Sequence, residues 1–211
     1  MIDTFIFDLD GTLVDSFHDI LVALQGSAVD LGMEPPTEAE VRRKMHFRLD
    51  QLVRATFPDI PPEDVMVHFR RRYDGSGYPT TVPFPGVEGT IRSLKGRGCR
   101  MYVATNKRKV AADIIVSRLD VDGAIETVMT SDLSNPPMDK AEQVRRIMSL
   151  HGLEASRTAL VGDTKGDWEA AEQTGVTFVL AAYGYGNIPA ADARGKGVMV
   201  IDSFGDLAKL R

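Results

Sequence analysis

Thr4-Phe5-Ile6-Phe7-Asp8-Leu9-Asp10-Gly11-Thr12-Leu13-Val14-Asp15-Ser16 sets a short apolar run directly before two carboxylates spaced two residues apart. Thr4 to Phe7 reads as a buried strand, and a glycine-containing turn follows it. In open parallel sheets the ligand crevice lies beyond the carboxyl ends of the strands, so Asp8 and Asp10 are expected to project into a site. Gly11 lets the backbone turn tightly and is expected to present its N–H to a bound anion. An Asp-x-Asp pair alone also fits a strand-ending turn whose side chains cap backbone groups. The length of the run and its place after a strand favour the site.

Working outward, apolar runs alternate with helical patterns, as in a parallel α/β sheet. Further strands are expected at Met101–Ala104, Ile125–Met129, Ala159–Val161 and Thr177–Leu180, with one more at Val198–Ile201. Helices are expected over Val87–Lys95, Lys109–Leu119, Lys140–His151 and Asp167–Gln173. The segment from Asp15 to about Thr81 breaks this rhythm. Ile20, Leu21, Leu24, Ala28 and Leu31 form a helical stripe within Phe17–Leu31. Thr37 with Glu40 is a capping-box pattern for a helix running to Thr56. Pro61-Pro62-Glu63 starts another, through about Tyr73. Gly75-Ser76-Gly77 and Pro79–Pro85 read as linker. The domains expected are residues 1–14 with 82–211, and an inserted helical segment, 15–81.

The chain has 211 residues, 43% hydrophobic and 26% charged, an ordinary globular composition. A net charge of -5 argues against a general nucleic-acid or anionic-membrane binder. The single cysteine, Cys99, excludes an intrachain disulfide, fits a reducing compartment and reads as a packed core thiol. No signal peptide is visible, and no apolar run approaches the roughly 18 residues of a membrane span. A cytoplasmic protein is expected.

Two more segments carry chemistry. Met101-Tyr102-Val103-Ala104 is followed by Thr105-Asn106-Lys107, where a hydroxyl at a strand end can hold a phosphate oxygen or simply belong to an Asn turn. Val161-Gly162-Asp163-Thr164-Lys165-Gly166-Asp167 places two acids four residues apart across a tight loop after an apolar strand. Such oxygens can serve one hard cation of the Mg²⁺ type.

These segments, in this order, resemble the haloacid dehalogenase superfamily, specifically its phosphoglycolate phosphatase-like hydrolases with a helical cap inserted after the first strand. The resemblance extends over nearly the whole chain. It implies an α/β fold, a Rossmann-like three-layer parallel sheet core with an inserted helical cap domain. It also implies a Mg²⁺-dependent phosphatase acting on a small phosphorylated metabolite through an aspartyl-phosphate. Asp8 is then the nucleophile and Asp10 the general acid and base. Thr105 and Lys140 complete the catalytic set. Phosphate or substrate contacts are assigned to Gly11, Thr105, Asn106 and Lys140. The metal falls to the Asp8 side chain, the Asp10 carbonyl and Asp163. Asp167 is a supporting anchor or a helix N-cap. Lys140 stands in Pro136-Pro137-Met138-Asp139-Lys140-Ala141, where many relatives have Lys-Pro, and Lys107 is the alternative cation.

The inserted segment carries Arg42, Arg43, Lys44, Arg48 and Arg70-Arg71-Arg72, which read as a solvated helix face. Arg48, beside Met45-His46-Phe47, is also a candidate reader of an anionic substrate group. The segment lacks an Ile-Gly pair found in many relatives, so the resemblance does not fix phosphoglycolate specificity, and phosphoglycolate, a sugar phosphate and a nucleotide monophosphate are all open as substrates. Tyr183-Gly184-Tyr185-Gly186 reads as a turn first, although phosphoglycolate phosphatase-like and nucleotidase-like proteins have a similar one.

Other chemistries use the same fold, and a hexose-phosphate mutase or a phosphonate hydrolase stays open as the alternative. A carbon–halogen hydrolase needs neither Asp10 nor an acidic loop. A phosphonate hydrolase would use a cap lysine, and Lys44 is the only one there. A hexose-phosphate mutase or a catalytically silent binding protein would show poor net hydrolysis. Substrate and oligomeric state are not written in the sequence.

Overall fold

Strong apolar runs become strands and amphipathic stretches become helices. The strands are β1 (Thr4–Phe7), β2 (Val14–Asp15), β3 (Val82–Pro83), β4 (Arg100–Thr105), β5 (Ile125–Thr130), β6 (Thr158–Gly162), β7 (Thr177–Ala181) and β8 (Met199–Ile201). The helices are α1 (Phe17–Asp30), α2 (Glu38–Arg42), α3 (Leu49–Thr56), α4 (Pro62–Ser76), α5 (Val87–Gly96), α6 (Lys109–Arg118), α7 (Lys140–His151), α8 (Lys165–Thr174) and α9 (Ala190–Gly195). The computed structural model describes residues 1–119, 121 and 123–209. It divides into two compact units, Met1–Val14 with the chain from Pro83 onward, and Asp15–Val82.

In the first unit, six strands form a parallel sheet in the order β5-β4-β1-β6-β7-β8. This is the α/β fold that the alternating pattern implied. Alternate side chains face opposite layers. On one face Ile6, Tyr102 and Leu160 join Val144 and Ile147 of α7 and Ala170 and Ala171 of α8. On the other, Phe5 stacks on Phe7 at 6.0 Å, and Phe7 meets Phe204 at 5.5 Å. Burying each such aliphatic or aromatic side chain contributes about 1.5–3 kcal/mol. The strand order reverses at β1, with β4 on one side and β6 on the other. That reversal opens a crevice beyond the strand ends, where Asp8 sits.

In the second unit, α1 packs against α4. Phe69 stacks on Tyr73 at 5.2 Å and Tyr73 meets Tyr78 at 4.9 Å. Asp19 accepts from the Thr80 amide and from the Thr80 and Thr81 hydroxyls, at 2.8 and 2.6 Å for the hydroxyls. On the surface Asp30 gathers Arg72, Arg71 and His68.

Several local expectations are corrected. The capping box at Thr37 is present, but the helix it opens ends at Arg42 and a second begins at Leu49. Between them, amides of Lys44, Met45 and Phe47 bond three residues back, and Lys44 Nζ donates to the Ala55 carbonyl at 2.8 Å. A continuous helix would separate residues 44 and 55 by roughly 16 Å along its axis, beyond a lysine's reach. Gly75 and Ser76 are the last turn of α4 rather than linker, because the left-handed cap falls at Gly77. α8 starts two residues before Asp167, since Thr164 is its N-cap. Cys99 is half-buried rather than a core thiol, because it lies in the turn before β4 and not within the strand. Arg71 and Arg72 are tied to Asp30, and Arg42 lies over the Phe17 ring at 3.9 Å.

Candidate active site

Three loops at the carboxyl ends of β1, β4 and β6, with α7 beside them, build the site. Asp8 follows β1, its amide donating to the Val161 carbonyl at 2.9 Å, and is 9% exposed. Lys140, in the first turn of α7 and 7% exposed, reaches between the strands. Its Nζ lies 2.7 Å from Asp8 Oδ1 and 2.9 Å from Asp167 Oδ1, and donates to the Ala104 carbonyl at 2.8 Å.

Asp163, 1% exposed, follows β6 and its carboxylate is fully dressed. Oδ1 accepts from the Thr12 hydroxyl at 3.1 Å, and Oδ2 from the amides of Tyr185 and Gly186 at 2.7 and 3.0 Å. The Tyr183 hydroxyl in turn donates to the Thr12 carbonyl at 2.8 Å, and its ring meets Phe84 edge-on at 5.0 Å. Sequence reasoning treated the Tyr-Gly-Tyr-Gly segment as a turn and did not single out Thr12. Its clue was the spacing of the two glycines: a Cβ at Gly184 or Gly186 would overlap Asp163.

Gly11 has φ +83, and a Cβ there would also collide with the Asp163 carboxylate. The expectation that its N–H faces an anion is corrected, since that N–H donates to the Val14 carbonyl at 2.9 Å as the turn closes on itself. The glycine is needed for close approach. Asp167 is not an N-cap but the third residue of α8. Its Oδ2 accepts from the Thr164 amide and hydroxyl at 3.1 and 2.7 Å, completing a capping box.

Thr105 is buried at the end of β4, its Oγ1 accepting from the Lys107 amide at 3.1 Å. Asn106 is exposed, its carbonyl accepting from the Ser131 hydroxyl. Lys107 Nζ stands 3.1 Å from Asp10 Oδ1. The two candidate lysines thus serve different carboxylates, Lys140 at Asp8 and Lys107 at Asp10. Arg48 belongs to the helical unit, exposed at the N-cap of α3 and 3.6 Å from Asp50.

The electrostatics are lopsided. Asp8, Asp163 and Asp167 can place one oxygen each within 4.8 Å of one another, with Lys140 among them. Burial pushes the Asp8 carboxyl above its usual range; Lys140 opposes this, and Asp167 and Asp10 add to it. Burial also raises Asp163, helped by Asp8 and Asp167 and opposed by the Tyr185 amide and the Thr12 hydroxyl. Burial pulls the Lys140 ammonium down, but Asp167 and Asp8 outweigh it and hold the group above its ordinary range. Three buried carboxylates against one ammonium leave negative charge to be offset, and an all-oxygen donor set suits a hard divalent cation.

Known proteins can now be set beside this geometry. The chain is 29% identical over 180 residues to a phosphoglycolate phosphatase of Aquifex aeolicus, covering 85% of this chain and 84% of that protein. It is 29% identical over 184 residues to a 5'-nucleotidase of Pseudomonas aeruginosa, covering 86% and 83%. A haloacid dehalogenase-like protein of Streptococcus pneumoniae superposes with a TM-score of 0.86 over 99% of this chain and 97% of that one, at 23% identity, a likeness of fold. Residues 5–181 match the family described as haloacid dehalogenase-like hydrolase. With that match spanning the sheet from β1 to β7 and all three site loops, the chain belongs to the haloacid dehalogenase-like hydrolases.

Proposed function

We propose that this hydrolase is a Mg²⁺-dependent phosphatase that cleaves a small phosphate monoester through a covalent aspartyl-phosphate on Asp8. One observation carries the reading: Asp8, Asp163 and Asp167 converge around Lys140 at the strand-order reversal, with Asp10 two residues from the nucleophile. The relatives named above are a phosphoglycolate phosphatase and a 5'-nucleotidase, so phosphorylated small acids, sugars and nucleotides are the substrate classes to try.

The Asp8 and Asp163 carboxylates and the Asp10 carbonyl are the ligands proposed for Mg²⁺. Asp167 acts as an anchor, tying Lys140 to the Thr164 turn. The ion would offset the repulsion between a phosphate dianion and a carboxylate nucleophile. Lys140 holds Asp8 Oδ1 and favours its ionised form against the opposing effect of burial. Thr105, whose oxygen accepts from the Lys107 amide, keeps its own O–H for a phosphoryl oxygen. Asn106, exposed beside it, contacts the rest of the substrate.

An Asp8 oxygen attacks phosphorus as the ester P–O bond breaks in line. Asp10 gives its proton to the departing alkoxide. It then takes a proton from the water that attacks the phosphoenzyme, releasing inorganic phosphate and regenerating Asp8. Residues 15–81 serve as the cap that keeps bulk water from the reacting groups, and Arg48 reads an anionic group on the substrate.

The test is turnover of 4-nitrophenyl phosphate with Mg²⁺ and with EDTA. Activity should need the metal, and Asp8→Asn should lower it by about a thousandfold or more. Near-normal rates in Asp8→Asn would refute the covalent step. Arg48→Ala should lower kcat/KM for the best substrate of a phosphorylated-metabolite panel, and an unchanged value removes Arg48 from the site.

A further inference from the structure

We infer that Lys107 is a positioning residue for Asp10, holding the proton-transferring carboxyl in the orientation that serves the leaving alcohol. The inference rests on the phosphatase reading. Lys107 Nζ lies 3.1 Å from Asp10 Oδ1, and the lysine side chain is 6% exposed where the aspartate side chain is 25% exposed. The ammonium is the more deeply buried partner and the carboxyl the more exposed one. An ammonium N–H can donate to Oδ1 while Oδ2 carries the transferred proton, and a contact shielded from water is screened less than a surface one.

The loop that carries Lys107 is itself fixed. Its amide donates to Thr105 Oγ1 at 3.1 Å, and Ser131 holds the neighbouring Asn106 carbonyl at 3.1 Å. The same loop therefore presents the phosphate-holding hydroxyl and the clamp on the general acid, with β1 and β4 as paired neighbours. An aspartate χ2 is broad and roughly two-fold. Proton transfer in the transition state needs the carboxyl within hydrogen-bond reach of the ester oxygen, and orientation carries much of the rate. Lys107 supplies that orientation without touching substrate.

The consequence is a dependence on the leaving group. An alkoxide needs the proton from Asp10 as the P–O bond breaks, whereas a nitrophenolate leaves without it. The experiment compares Lys107→Met with wild type on 4-nitrophenyl phosphate and on whichever of glycolate, glycerol and ribose phosphates the wild type turns over fastest. kcat/KM is the readout, since it covers steps through departure of the alcohol and is blind to hydrolysis of the phosphoenzyme. Thermal melts establish that both proteins fold. The value for the alkyl phosphate should fall at least about tenfold further than that for the aryl phosphate. Lys107→Arg should restore most of the difference. Equal falls on both substrates, or no fall, would overturn the inference by showing a general structural or phosphate-binding role. Asp8→Asn run alongside separates the two ideas. If it stays active, the covalent Asp8 mechanism fails, whereas a dead Asp8→Asn with substrate-independent Lys107→Met losses sinks the clamp alone.

Discussion

Two ionic hubs, one in each unit, use the same side-chain chemistry with opposite balance. In the sheet unit, one buried ammonium, Lys140, meets the carboxylates of Asp8 and Asp167, with Asp163 close by. In the helical unit, one surface carboxylate, Asp30, meets the guanidiniums of Arg71 and Arg72 and the His68 ring. The first concentrates charge where water cannot screen it, which costs stability and gives an all-oxygen donor set of the kind that suits a hard cation. The second over-compensates a single charge in water, where each contact contributes little. Burial, more than the number of ion pairs, separates a candidate reactive centre from a surface staple.

The contrast breaks first at Lys140. Replacing it with Met strands Asp8 and Asp167 as buried carboxylates without their ammonium. The variant should lose about 3–5 kcal/mol of stability in EDTA at neutral pH, measured by denaturant unfolding. A loss as small as that of a surface pair would mean the centre is wetter than its burial implies. Next comes Gly11→Ala. Its positive φ costs about 1–2 kcal/mol, and the added methyl must displace the Asp163 carboxylate. Thermal stabilisation by added Mg²⁺, which follows RT ln(1 + [L]/Kd), should therefore shrink relative to wild type. Thr12→Val keeps the shape and removes one donor from Asp163 Oδ1. It should cost about 1–2 kcal/mol and leave the fold intact by circular dichroism.

The smallest effect belongs to the surface hub. Arg72, then His68 and Arg71, hold the Asp30 carboxyl well below the usual carboxylate range. A depressed folded value means that the stabilisation is fully present above the unfolded value, about 3.9, and is lost as pH falls through the more acidic folded value. Asp30→Asn should therefore lower the unfolding midpoint slightly at pH 7, and the gap from wild type should narrow as pH drops below about 4. A gap that widens in acid would reverse the assignment.

Much of the sheet unit was legible because burial on both faces writes strands as continuous apolar runs. Thr4–Phe7 and Lys140–His151 match the expected bounds residue for residue. The helical unit was less legible. The break between Arg42 and Leu49 comes with a Lys44–Ala55 contact that periodicity does not encode. At the site, the acids announced themselves by their position after strands. The occupied Gly11 amide and the dressing of Asp163 by Thr12, Tyr185 and Gly186 did not. The bonds to Asp163 join residues more than twenty, and up to about 150, positions apart, and the Gly11 amide is taken up within its own turn, which spacing alone does not announce.

The sequence by itself determined which residue types stand at the ends of which strands, since hydrophobic periodicity is local and fixes β1, β4, β6 and the turns after them. Only the tertiary structure decided which lysine meets which carboxylate, Lys140 with Asp8 and Lys107 with Asp10. That pairing follows from sheet order and from where α7 begins. Both arise from packing distant segments against one another and leave no mark in the spacing of the residues they bring together.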